Sequence, residues 1–188
     1  MDCLCTFGKK KICNIILFIW ILCLILAVGY FYRLTSAEKF LEQIDSCTEY
    51  QIKKYEILLS DDERFLLSAA SYYYKRENYC KTYFYLLKMQ QKWINSKVEL
   101  TMAEVCSKMR NKEKARFHFE RSIGINPGKL NSRYRYFLWL KEFGKEKQII
   151  QQAICIDTMP SKVVSPLEIA IKMEVKSYLN DSAEADNK

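Results

Sequence analysis

The spacing of apolar positions changes once along this chain, near residue 33. Before it, residues 12–32 are apolar throughout except for Asn14. A helix of that length spans about 30 Å, the thickness of a bilayer's hydrocarbon core. Lys11 and Arg33 bracket the run, and Tyr30-Phe31-Tyr32 closes it with rings suited to a membrane interface. Beyond it, apolar residues recur three and four apart, the spacing of one helix face. Ala37, Phe40, Leu41 and Ile44 form one stripe. After a break at Ser46-Cys47-Thr48, Tyr50, Ile52, Tyr55, Leu58 and Leu59 form the next. Ser60-Asp61-Asp62-Glu63 looks like a helix start, with Ser60 as the cap and acids on the first turn.

Three helical pairs are predicted after this start. In the first, Leu66, Ala69, Ala70 and Tyr73 lead to the polar turn Arg76-Glu77-Asn78. Tyr79, Thr82, Tyr83, Leu86, Leu87 and Met89 follow. In the second, Met102, Val105, Cys106 and Met109 lead to Arg110-Asn111-Lys112. Ala115, Phe119, Ser122 and Ile123 follow, and Asn126-Pro127 stops the helix. The third, residues 130–160, places Tyr134, Phe137, Leu138 and Trp139 before Gly144. Ile149, Ile150, Ala153 and Ile156 come after it. Ser161 to Ser165 is a polar linker. Pro166 at the first helical position opens a last helix with Leu167, Ile169, Ala170, Met173 and Tyr178. Residues 180–188 are small, polar and acidic, which predicts disorder.

Residues 96–127 resemble one unit of the tetratricopeptide repeat, a helix–turn–helix of about 34 residues. Ala103, Ala115, Phe119, Ser122 and Pro127 fit that family's small–small–aromatic–small–Pro fingerprint. Tyr73-Tyr74-Lys75-Arg76-Glu77-Asn78-Tyr79 resembles its turn region, departing at Glu77, where Gly is usual. Thr82 stands where Ala is usual, and Gly144 matches the turn glycine of a third unit. After the transmembrane helix of residues 12–32, the resemblance implies a short α-solenoid over residues 34–179, so the whole chain is expected to be all-α. Its units would be 63–96, 96–129 and 130–160, with a capping helix at 166–179. It also implies a concave groove lined by the first helix of each unit, where a partner's extended or helical peptide binds. Carried over by alignment, the groove residues are Leu67, Ser71, Tyr74 and Lys75, then Lys97, Leu100, Glu104, Ser107 and Lys108, then Tyr134, Leu138 and Lys141. Leu67, Leu100 and Tyr134 stand where the family's clamp for chaperone C-termini wants polar residues, so chaperone-tail binding is not expected. Leu67 and Leu100 are equally well explained as packing against neighbouring helices.

Composition agrees with a helical chain, with only five Gly and three Pro. The thirteen Tyr and ten Phe would wedge stacked helices apart or furnish an aromatic groove. The net charge is +8, but its basic residues are spread out. The densest run, from Lys108 to Arg121, is interrupted by Glu113 and Glu120. A solvated helix face explains this better than a nucleic-acid footprint, and attraction to an anionic membrane surface stays open. The apolar run exceeds the core of a signal peptide, about 7–15 residues, and no A-x-A site or lipobox ends it, so an uncleaved anchor is expected. Lys9, Lys10 and Lys11 precede it, whereas Glu38 and Glu42 intersperse Arg33 and Lys39 after it. That asymmetry places residues 1–11 in the cytoplasm and the repeat domain across the membrane. The reverse orientation would suit an organelle-surface receptor for targeting peptides.

No reaction is expected. The single histidine, His118, reads as a surface or half-buried residue with no indicated catalytic partner. The glycines are isolated, so no phosphate loop forms, and no acidic residue stands apart from a solvated face. Cys3-x-Cys5 lacks the second pair a zinc site needs. Cys3, Cys5 and Cys13 would be lipidation candidates or ordinary thiols. Cys47, Cys80, Cys106 and Cys155 are too dispersed for a disulfide framework, and Cys106 lies on an apolar stripe. The expectation is therefore a bitopic adaptor without metal or cofactor that docks a protein partner near the bilayer and assists assembly of a membrane or envelope complex. The alternative is an accessory subunit of a membrane-linked biosynthetic enzyme. Nothing in the sequence bears on self-association.

Overall fold

The computed structural model describes residues 3–42, 48–160 and 165–186. Ile44, the Ser46-Cys47 break and most of the 161–165 linker lie outside them, as do the side chains of Cys3, Cys5, Lys11 and Cys13. The described residues are all-helical, with no strand among them, and fall into two compact units, Met1–Ser68 and Ala69–Lys188.

The first unit opens with α1 (Cys3–Glu42), in which Leu17–Leu41 holds an 18-residue window of mean hydropathy 2.1, long and apolar enough to cross a membrane. The stripe expected as a separate helix after residue 33 is the unbroken continuation of α1. Nothing between Arg33 and Glu42 breaks a helix, and Thr35 Oγ1 donates back to the Phe31 and Tyr32 carbonyls at 3.1 and 3.0 Å. Ala37, Phe40 and Leu41 at its end are buried. There Phe40 stacks on Tyr55 of α2 (Glu49–Tyr55) with ring centroids 4.7 Å apart, and Ser36 Oγ meets the Tyr55 hydroxyl at 2.6 Å. Thr48 caps α2 in a reciprocal box with Gln51. Helix α3 (Glu63–Lys75) is capped by Asp62, whose Oδ1 accepts from the Phe65 amide at 3.0 Å, rather than by the expected Ser60. A cap must stand immediately before the first helical residue, and Ser60 is two positions too early.

The second unit holds the end of α3 and then α4 (Tyr79–Lys92), α5 (Ser96–Lys108), α6 (Lys112–Ile125), α7 (Leu130–Phe143), α8 (Glu146–Asp157) and α9 (Pro166–Asp186). Two of its turns are built alike. Asn78 N donates to Tyr73 O at 3.0 Å and Glu77 N to Tyr74 O at 3.0 Å; Asn111 N donates to Cys106 O at 2.9 Å and Arg110 N to Ser107 O at 2.9 Å. Each is a Schellman closure with a left-handed residue, Glu77 or Arg110, both at φ 58°. Asn78 and Asn111 then cap the next helix. Gly144, at the corresponding place in the third pair, has φ −89°. Its glycine answers close approach instead: a Cβ there would stand 2.8 Å from the Leu140 carbonyl oxygen.

Small residues let α5 and α6 approach. Ala103, Ala115 and Ser122 are fully buried, and Ser122 Oγ donates to the Ser96 carbonyl at 2.8 Å. The core continues through Phe119, Phe137, Leu140, Ala153 and Ile156 to Ile171 and Val175 of α9. This corrects the expected apolar stripe of α9. Ile171, Val175 and Tyr178 face the core, whereas Leu167, Ile169 and Met173 are exposed. The tail expected to be disordered from Asn180 stays helical to Asp186. Ala183, Glu184 and Ala185 are good helix formers and no breaker separates them from α9.

Candidate partner-binding groove

Residues from α3, α5 and α7, the first helix of each pair, line a cavity of about 350 Å³. Five of the twelve residues carried over by alignment meet there: Tyr74 from α3, Glu104, Ser107 and Lys108 from α5, and Leu138 from α7. Arg135, Trp139 and Glu142 complete the α7 wall, and Phe119 of α6 lies beneath. Positions 135, 138, 139 and 142 share one helix face, so Leu138 alone was signal enough to find the others.

The remaining seven lie elsewhere. Leu67 belongs to the first unit, where it is exposed. Ser71, Lys75 and Lys97 are exposed outside the cavity wall. Leu100 packs inward with Ala103 and Cys106, so the packing reading holds there. Tyr134 and Lys141 are engaged by α9: the Tyr134 hydroxyl donates to Glu174 Oε2 at 2.5 Å, and Lys141 Nζ stands 3.6 Å from Glu174 Oε1. Each stands one residue before a residue that lines the cavity, Arg135 and Glu142.

The groove has an aromatic floor and a charged rim. Phe119 and Trp139 have ring centroids 5.7 Å apart, and Tyr136, outside the cavity, stacks on Trp139 from behind at 5.9 Å. Trp139 is 8 % exposed, and its indole N–H is buried without an acceptor. A buried donor left unpaired carries a desolvation cost. Glu104 faces Arg135 at 3.7 Å. Burial pushes the Glu104 carboxyl above the ordinary carboxylate range, and the Arg135 and Lys108 charges only partly pull it back. Lys108 and Glu142 add one charge of each sign at the exposed edge. The surface therefore suits an apolar side chain whose flanking groups are polar.

A second polar assembly lies behind α5, and it corrects the reading of His118 and of the acids. His118 is 3 % exposed and Glu99 1 %. Nδ1 of His118 donates to Glu99 Oε2 at 2.8 Å, and its Nε2 stands 3.1 Å from the Tyr83 hydroxyl. The other Glu99 oxygen accepts from Gln90 Nε2 at 2.6 Å and Arg121 Nε at 3.0 Å. Glu99 occupies the place in α5 that Leu66 holds in α3, so a face that is apolar in one pair is ionic in the next. Every polar atom of the Glu99 carboxylate and the His118 ring has a partner, as buried charge requires. Carboxylate, imidazole and phenol stand in line, and none of the three lines the cavity in front of α5. Among the described residues, no three His, Cys, Asp or Glu side chains gather as a metal centre would need.

Neither a protein-family model, nor a curated protein, nor a solved structure matches the chain.

Proposed function

We propose that this chain is a membrane-anchored adaptor of the tetratricopeptide-repeat type, whose groove holds a peptide segment of a partner protein beside the bilayer. The convergence of Tyr74, Glu104, Ser107, Lys108 and Leu138 on one cavity carries this reading. The repeat assignment is supported by a 33-residue echo in structure. Ala70, Thr82 and Leu86 are buried in one pair where Ala103, Ala115 and Phe119 are buried in the next. The left-handed turns at Glu77 and Arg110 stand at the same offset. In this reading α1 fixes the chain in the membrane with residues 1–11 in the cytoplasm, and the helical pairs lie on the far side. Tethering raises the concentration of the groove around membrane-borne partners, so modest intrinsic affinity suffices for assembly work. The occupant would place an apolar side chain over Trp139 and polar groups beside Glu104 and Arg135.

The test is photo-crosslinking in intact cells from a benzophenone amino acid at Ser107. The expected result is one discrete protein adduct that disappears in Leu138→Asp, with the helical circular dichroism of the purified variant unchanged. An adduct that survives Leu138→Asp, or crosslinking to lipid alone, overturns the groove as the partner site.

A further inference from the structure

The side of the second unit formed by α4 and α6 carries a doubled pattern that the groove does not use. Phe84 and Phe117 are 47 % and 55 % exposed and stand 33 residues apart, the offset of the helical pairs. One turn after each comes a cation over its ring: Lys88 Nζ lies 4.5 Å from the Phe84 centroid, and the Arg121 guanidinium lies 6.0 Å from that of Phe117. One turn before each stands another, Lys81 and Lys114, again 33 apart. The two helices adjoin here, since Tyr83 of α4 meets His118 of α6 and Lys114 Nζ sits 5.4 Å from the Tyr83 ring.

Charge separates this face from an ordinary solvated one. Helix α4 bears Lys81, Lys88 and Lys92 and no acid. Helix α6 bears Lys112, Lys114, Arg116 and Arg121 against Glu113 and Glu120; Glu120 is held by Arg116 at 2.7 Å, and Arg121 Nε also reaches the buried Glu99 at 3.0 Å. Gln151 stands at the matching place on α8, so the exposed ring is confined to α4 and α6. Exposed rings with one cation over each and another basic residue a turn before it match the boundary between acyl chains and anionic headgroups. The ring enters the boundary, and the long cationic side chains keep their charge at phosphate level. The same chain carries a helix able to cross a membrane, so such a surface is always within reach.

We propose that the α4–α6 face, through Phe84 and Phe117 and the cations around them, docks on the surface of an anionic bilayer. The proposal rests on the anchor in α1 and is independent of the groove reading. Docking would hold the unit flat on the membrane instead of leaving it to swing on its tether.

The test uses the full chain with Cys80 as its only cysteine. Cys80 is exposed and stands one turn before Phe84 on the same stripe. It is labelled with a nitroxide, and the chain is reconstituted in vesicles of phosphatidylcholine alone or with phosphatidylglycerol added. The expected result is loss of access for a water-soluble relaxation agent only in the anionic vesicles, with access restored by high salt and by the double variant Phe84→Ser, Phe117→Ser. A nitroxide at Ser107 in the groove should stay accessible in both lipids. Equal access at Cys80 in both lipids overturns the proposal, as does protection that survives the double variant. Protection that follows protein density instead of lipid charge also overturns it, and assigns the face to a second copy of the chain.

Discussion

Glu99 and Glu104 lie on the same helix, yet their surroundings are opposite. Glu99 is sealed behind α5 and shared among Gln90, His118 and Arg121. Glu104 looks into the cavity in front of α5 with a loosely placed Arg135 as its nearest partner. The first carboxylate is buried behind its partners, and its removal would strand three groups. The second has unspent acceptor capacity beside an aromatic floor whose indole N–H is unpaired. Polarity on a helix face thus serves two ends here. Where partners close around it, it fixes how three helices pack; where they do not, it leaves acceptor capacity facing a cavity.

Breaking the sealed side should cost most. Glu99→Ala leaves His118, Arg121 and Gln90 without their acceptor, and the expected loss is about 3–5 kcal/mol. The midpoint of urea unfolding of the full chain in detergent measures it. A loss below about 1 kcal/mol would mean that water already reaches the carboxylate. Tyr83→Phe is a finer cut. It keeps the ring contacts and removes only the hydroxyl beside His118 Nε2, so about 1 kcal/mol should be lost by the same measurement. No change would show that the phenol is not part of the assembly.

On the open side, Glu104→Gln should shift stability by no more than about 0.5 kcal/mol at any pH. Its pH dependence is the sharper readout. Burial raises the folded-state carboxyl above its unfolded value, so the folded chain binds that proton more tightly. The wild type therefore loses stability as pH rises from the ordinary carboxylate range through the raised value, and the Glu104→Gln variant does not. The unfolding midpoint of that variant relative to wild type should climb across the window and then level off. A difference that is flat with pH would place Glu104 in open solvent.

Much of this architecture was legible from spacing alone. The apolar run before residue 33, the turns at residues 76–78 and 110–112 and the small residues Ala103, Ala115 and Ser122 are local or periodic signals, and the structure uses each of them. The turns show where such signals mislead. The left-handed conformation falls on Glu77 and Arg110, while Gly144 takes a negative φ. The Schellman bonds to Tyr73 and Cys106 offset the strain of a side chain in that region, so the residue type does not mark the turn. Helix α9 misled differently. Two apolar stripes run along it, and only the helices it packs against decide that Ile171 and Val175 are covered and Met173 is not.

The sequence by itself determined the helices, their approximate limits, the apolar segment of α1 and the residues that share a face, because these follow from backbone geometry and from neighbours three or four residues away. The tertiary structure decided the fate of polar side chains. Glu99 draws its partners from positions 90, 118 and 121, and Tyr134 and Lys141 are claimed by Glu174 on α9. Whether a charged group is sealed, engaged or left facing a cavity depends on which distant residues arrive to satisfy it, and helical periodicity carries no record of them.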